Sequence, residues 1–221
     1  MGPMIELAAA DGHRLGAYTA GAQDAERGLV VLQEVFGVNA HMRLVADRLA
    51  GAGYRVICPA LFDRAERGVE LGYGQEDIRR GVALRAAVPE AGTLADLAAA
   101  AAWLGGRRKG VIGYCWGGSL AWMGATETDL FAAACCWYGG GIAARRHARP
   151  RCPVQMHFGA TDASIPLADV EAIRAAQPEA EIFVYPEAGH GFGCEARASY
   201  READARLAEE RSLAFFARHL G

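Results

Sequence analysis

Lysine is almost missing from this chain. Of its 23 basic residues only Lys109 is a lysine, so chemistry that needs a Schiff-base or catalytic lysine has one candidate. Acidic residues number 26 and the formal charge is −3. No cationic stripe stands out to track a phosphate backbone, so nucleic acid is not an expected partner. No apolar run approaches the ~20 residues that cross a bilayer, and the opening MGPMIELAAADG lacks the cationic and apolar segments of a leader. A cytoplasmic protein with no membrane partner is expected. Proline is sparse, at 8 of 221 residues, beside 52% hydrophobic and 22% charged residues, a composition that excludes disorder, collagen-like repeats and coiled coils. The 6 cysteines (Cys58, Cys115, Cys135, Cys136, Cys152, Cys194) show no CxxC and no regular framework, so most are expected to be small buried hydrophobes. The six histidines form no close ligand pair, and neither metal nor cofactor is called for.

What is present is an alternation of short apolar runs with helix-length segments. Leu29–Leu32, Arg55–Cys58, Gly110–Gly113, Ala132–Tyr138, Val154–Phe158 and Ile182–Tyr185 read as buried strands. His41–Ala50 places Met42, Val45, Ala46 and Leu49 on one helical face before Gly51 and Gly53. Thr93 to Asp96 resembles a capping box opening a helix with Leu94, Leu97, Ala101 and Leu104 as its core stripe. Ile5–Ala9 and Arg14–Tyr18 flank Asp11-Gly12, a hairpin signal, and Tyr200–Leu220 reads as a final amphipathic helix. No linker or repeat interrupts the pattern. The expectation is one α/β domain over 1–221 with a mostly parallel sheet, helices on both faces, and its site at the carboxyl ends of the strands.

Gly113-Tyr-Cys115-Trp-Gly117 follows an apolar strand and precedes an apolar helical segment, the context of a nucleophile elbow with cysteine as the nucleophile. Composition alone gives about 0.1 occurrence of this pattern, so it is only moderately informative until its partners are found. A thiolate needs a base, and the base an orienting acid. Asp162 and His190 each follow a predicted strand, and the order nucleophile, acid, histidine is that of an α/β-hydrolase triad. Upstream, Gln33-Glu34-Val35-Phe36-Gly37 follows the Leu29–Leu32 strand. That position nominates the backbone N–H groups of Val35 and Trp116 for the oxyanion hole and places Glu34 where it could take the thiol proton.

The chain resembles the dienelactone hydrolase family, the carboxymethylenebutenolidases, through QEVFGVNAHMR (33–43), GYCWGG (113–118), HFGATD followed by IP (157–166) and YPEAGHGF (185–192). The resemblance implies an α/β-hydrolase fold and a Cys115, Asp162, His190 triad, with Glu34 helping to activate the thiol. It also shows a departure. Family members acting on dienelactone carry a carboxylate-binding arginine shortly after the HxF motif, where this chain has Cys194. A second family arginine matches Arg79 or Arg80, and the spacing does not choose between them. Phe36 and Tyr138 are further candidates for substrate contact, and whether Tyr138 and the loop from Gly139 to His147 form a lid is left open.

The expected activity is hydrolysis of a small-molecule ester or lactone. Loss of the arginine at 194 predicts weak preference for anionic lactones. The alternatives are a ligand-binding protein on a hydrolase scaffold and a thiol redox sensor, for which no resolving cysteine lies near in sequence. A nitrilase-like amidase would need Lys109, which sits at the far end of the elbow strand from Cys115. The sequence does not specify an oligomeric state.

Overall fold

The computed structural model describes residues 2–221, which divide into two compact units, one running through Lys109 and one beginning at Gly110. In the first, β1 (Met4–Ala8) and β2 (Arg14–Ala20) pair antiparallel with Met4 opposite Tyr18 and Ala8 opposite Arg14. Gly12 takes φ 86° in the connecting turn, a left-handed value that suits a residue without Cβ. β2 runs antiparallel to β4 (Tyr54–Pro59), which lies parallel to β3 (Arg27–Leu32), in the order β1-β2-β4-β3. The crossover from β3 to β4 is α1 (Ala40–Gly51), capped by Asn39, whose Oδ1 accepts the Met42 N–H at 3.3 Å. Its buried residues include Met42, Val45, Ala46 and Leu49, the stripe read from the sequence.

Two more helices follow, α2 (Gln75–Ala87) and α3 (Glu90–Trp103). The capping box expected at Thr93 does not form. α3 starts at Glu90 after Pro89, and Thr93 lies inside it with Oγ1 donating to Pro89 O at 3.3 Å. Asp96 serves a different purpose, accepting two 2.7 Å hydrogen bonds from the Arg64 guanidinium. Leu94 is only half-buried, and the buried stripe is Gly92, Thr93, Asp96, Leu97, Ala100 and Ala101. An acidic residue three positions after a threonine fits a cap, but a largely sheltered cation 32 residues away competes for it, and that partner is invisible to local pattern.

The second unit takes in β5 (Arg108–Tyr114) from Gly110 onward, then β6 (Ala133–Trp137), β7 (Val154–Gly159) and β8 (Glu181–Tyr185), all parallel and in that order. β5 begins earlier than expected and takes in Lys109. α4 (Trp116–Glu127) connects β5 to β6, α5 (Leu167–Ala176) connects β7 to β8, and α6 (Glu202–Leu220) follows the last strand. Every residue of β6 and β7 is buried, as continuous apolar strands covered on both faces require. Burying one such Val, Leu, Ile or Phe side chain contributes about 1.5–3 kcal/mol. Register sets Tyr114 beside Trp137, Trp137 beside His157 and Gly159 beside Tyr185. The loops carrying Cys115, Tyr138, Asp162 and His190 therefore leave the sheet at the same carboxyl edge. Among the described residues no helix is long and apolar enough to cross a membrane.

Candidate active site

β5 ends at Tyr114 and α4 starts at Trp116, which leaves Cys115 alone to make the turn at φ 55°, ψ −113°. A non-glycine residue there is strained, by about 1–3 kcal/mol, and neighbouring glycines allow it. A Cβ at Gly113 would lie 1.9 Å from Gly117 O, and one at Gly118 would lie 2.4 Å from Trp137 O. The Cys115 N–H donates to Trp137 O at 3.0 Å, and Cys115 O accepts from Gly118 N at 3.0 Å, so the turn is tied to β6 on one side and to α4 on the other.

The thiol of this half-buried cysteine stands 3.1 Å from His190 Nε2, and His190 Nδ1 stands 2.7 Å from Asp162 Oδ2. Asp162 is buried and its Oδ1 accepts the N–H groups of Ser164 at 2.8 Å and Ile165 at 3.2 Å. With an ionised carboxylate accepting, Nδ1 carries a proton and Nε2 faces the sulfur. Burial favours the neutral ring. The hydrogen bonds to Asp162 and Cys115, with the charges behind them, outweigh it and hold the His190 pKa up at about 10, against an ordinary 6.5. The arrangement thus supports an imidazolium facing sulfur. The histidine loop is itself fixed, since Ser199 Oγ donates to His190 O at 2.7 Å and Thr161 Oγ1 to Ala188 O at 2.8 Å.

The remaining cysteines differ. Burial pushes the thiols of Cys58 and Cys135 up to about 12 and Cys152 to about 11, and raises Cys136 well above the usual range. Cys58, Cys135, Cys136 and Cys194 are buried and Cys152 half-buried, so most match the expected small hydrophobes.

Trp116 is buried at the first position of α4, at the positive end of that helix. Tyr138, expected to contact substrate, has no accessible surface. A ring with no exposed face cannot meet a ligand, and it instead lies edge-on to His190 with centroids 5.3 Å apart. The loop after it is pinned by hydrogen bonds from Gly141 N to Ser119 Oγ at 2.9 Å and from Trp122 Nε1 to Arg145 O at 3.2 Å, which argues against a free lid.

In the first unit Glu34 is completely buried, in the segment just past β3. Gly37 at φ 79° carries the chain so close to Val69 O that a Cβ would lie 2.0 Å from it, and Phe36 O accepts from Leu71 N at 2.9 Å. Val35 is buried, and its carbonyl abuts Gly81 of α2. Phe36 is 1% exposed and packs edge-on to Tyr73 at 4.7 Å, which corrects it from a substrate contact to a core residue of this loop. Arg79 and Arg80 stand on the solvated side of α2, their side chains 71% and 52% exposed and ion-paired with Glu76 and Glu66. That placement does not single out either as a substrate ligand.

A parallel strand, a strained turn and a helix carrying an acid–histidine–thiol chain form the layout of an α/β-hydrolase. The dienelactone hydrolase family model matches residues 15–220, and the chain belongs to that family. It is 37% identical over 213 residues to a Salmonella typhimurium protein provisionally named a carboxymethylenebutenolidase, covering 87% of this chain and 77% of that one. It is 33% identical over 227 residues to the carboxymethylenebutenolidase of Pseudomonas putida, covering 96% and 95%. A crystal structure from Klebsiella pneumoniae, provisionally described as a dienelactone hydrolase, superposes with a TM-score of 0.82 at 35% identity, covering 98% of this chain and 99% of that one. The protein is therefore an enzyme of the dienelactone hydrolase type, with an α/β-hydrolase fold.

Proposed function

We propose that the protein hydrolyses small-molecule esters or lactones through a Cys115–His190–Asp162 triad, as a single α/β-hydrolase domain over 1–221. The observation that carries this is the unbroken chain of contacts from sulfur to imidazole at 3.1 Å and from imidazole to carboxylate at 2.7 Å. The family match over 15–220 supports treating the chain as one domain.

Cys115 thiolate attacks the carbonyl carbon, and the carbonyl oxygen becomes an oxyanion stabilised by the amides of Trp116 and Val35. Collapse breaks the carbon–oxygen bond, and the leaving alkoxide takes a proton from His190 Nε2, giving a thioester on Cys115. In a lactone the leaving group stays tethered to the acyl chain. A water then gives its proton to His190 and attacks the thioester. Breaking the carbon–sulfur bond releases the acid and restores the thiolate, with Asp162 holding the ring throughout. The part of Glu34, helping to activate the thiol, and that of Val35 rest on the family resemblance of segment 33–43. With cysteine at 194 in place of the family arginine, neutral esters are turned over about as well as anionic lactones, and strong selectivity for dienelactone in competition kinetics would contradict this.

The test is turnover of p-nitrophenyl acetate by the wild type and by Cys115→Ala, with mass spectrometry of the quenched reaction. An acyl adduct on Cys115 and loss of turnover in the variant are expected, and an undiminished rate in Cys115→Ala overturns the assignment.

A further inference from the structure

The triad's sulfur and ring sit on separate loops 75 residues apart, so something must fix their separation. One residue touches both loops, by its backbone on one side and its side chain on the other. Trp137, the last residue of β6, accepts the Cys115 N–H on its carbonyl at 3.0 Å. Its indole stacks on Phe192, two residues past His190, with centroids 5.6 Å apart and planes within 22°. It also fills the space beside Gly193, where a Cβ would lie 2.8 Å from Trp137 Cζ3. Glycine at 193 is explained by this indole.

The indole has a polar anchor. Trp137 Nε1 donates to Ser212 Oγ at 3.1 Å, and that hydroxyl, on α6 and 1% exposed, donates its own proton to Ala208 O at 2.8 Å. Behind them lies His157, whose Nε2 is 2.9 Å from Gln155 Oε1 and 3.1 Å from Ser212 Oγ, and whose Nδ1 is 2.9 Å from Tyr185 OH. Both neighbours of Nε2 can accept, and the phenol can donate to Nδ1, so the buried ring is neutral with its proton on Nε2. The hydroxyl acceptor for the indole is thus held from two directions.

We propose that Trp137 is a positioning residue that ties the nucleophile turn to the histidine loop, with Ser212 on α6 anchoring its indole. This rests on the triad proposed above. Loss of the anchor lets the indole shift, carrying Phe192 and Gly193 with it while the Trp137 carbonyl still holds Cys115, and the sulfur-to-ring distance lengthens. Misplacement of reacting groups by about 1 Å costs about 10²-fold in rate.

The experiment compares wild type, Trp137→Phe, Ser212→Ala and Ser212→Thr with Val170→Ala, a core change in α5 with no part in this chain of contacts. For each, kcat and KM for p-nitrophenyl acetate are measured, together with the rate of iodoacetamide alkylation at Cys115 against pH, localised by peptide mass spectrometry. Trp137→Phe and Ser212→Ala are expected to lower kcat at least about tenfold with KM within about twofold. The pH limb of alkylation should rise by about one unit, because a longer contact weakens the ion pair. Ser212→Thr, which keeps the hydroxyl, and Val170→Ala should leave the limb in place. Unmoved limbs and kcat in Trp137→Phe and Ser212→Ala overturn the proposal, as does an equal shift in Val170→Ala. If one of the two fails to fold, the other decides. A wild type whose Cys115 alkylates like an ordinary thiol and turns nothing over defeats the triad itself, a separate outcome.

Discussion

Replacing Asp162 by asparagine removes one charge and almost no volume, yet the hydrogen-bond geometry makes it a severe change. The Asp162 Oδ1 accepts backbone N–H groups from Ser164 and Ile165 at 2.8 and 3.2 Å, and only an oxygen can do so. An asparagine keeps its oxygen there and turns its NH₂ toward His190 Nδ1, which lies 2.7 Å from the present Oδ2. A donor at that place requires Nδ1 to accept, which moves the ring proton to Nε2 and leaves a neutral His190 unable to take a proton from the thiol. The lost charge-assisted hydrogen bond is worth about 1.5–3 kcal/mol, or roughly 10- to 150-fold. Inverting the tautomer adds to this, and the comparable change in a serine triad costs about 10⁴. A fall in kcat of about 10²–10⁴ is therefore expected for Asp162→Asn, with KM little changed. Thermal denaturation should show a cooperatively folded variant with a lowered Tm, since the backbone bonds survive but the charge that raises the His190 pKa is gone. Steady-state hydrolysis of p-nitrophenyl acetate reads the first quantity and circular dichroism the second. A kcat within about threefold of wild type would refute the role given to Asp162.

Other outcomes can be checked on the same protein. His190 has its pKa raised to about 10 when folded, so its contribution to stability is complete below 6.5 and is lost as pH rises toward 10. Urea titrations from about pH 6.5 to 10 should show that fall, and His190→Gln should flatten it. His157 has its pKa lowered to about 3 by burial, with Arg211 assisting. A folded ring that resists protonation means stability is lost as pH drops from 6.5 toward 3, a slope that His157→Asn should diminish in the same titrations. Asp96→Ala leaves the Arg64 guanidinium, 10% exposed, without its buried partner, and equilibrium unfolding should report a loss of about 3–5 kcal/mol. Gly113→Ala drives a Cβ to within 1.9 Å of Gly117 O. It should abolish soluble expression or turnover, and a soluble, fully active variant would disprove the close approach.

Much of the fold is legible in the sequence because it is local. The six predicted strands occur within a few residues of their expected ends, since runs such as Val154–Phe158 have no other stable place than a sheet covered on both sides. The positions of Cys115, Asp162 and His190, each just past a strand, belong to the same alternation. Helices α2 and α5 carry a weaker signal, α2 because Gly81 is its one buried residue and no apolar stripe marks it. Through-space partners are equally hidden. Nothing near Ser212 announces an indole 75 residues earlier, and nothing near Asp96 announces Arg64. Tyr138 and Phe36 depart from expectation for a related reason, because an aromatic beside a site motif is as readily packed beneath the site as set on its rim.

Arg64 also reaches Asp11 in the β1–β2 turn, at 2.8 Å, while gripping Asp96 on α3. The amino-terminal hairpin is thereby one of two jaws around a sheltered cation. Trimming the first dozen residues would not be a neutral tidying of a loose end, because it would strip that guanidinium of an anion and admit water to the side of α3.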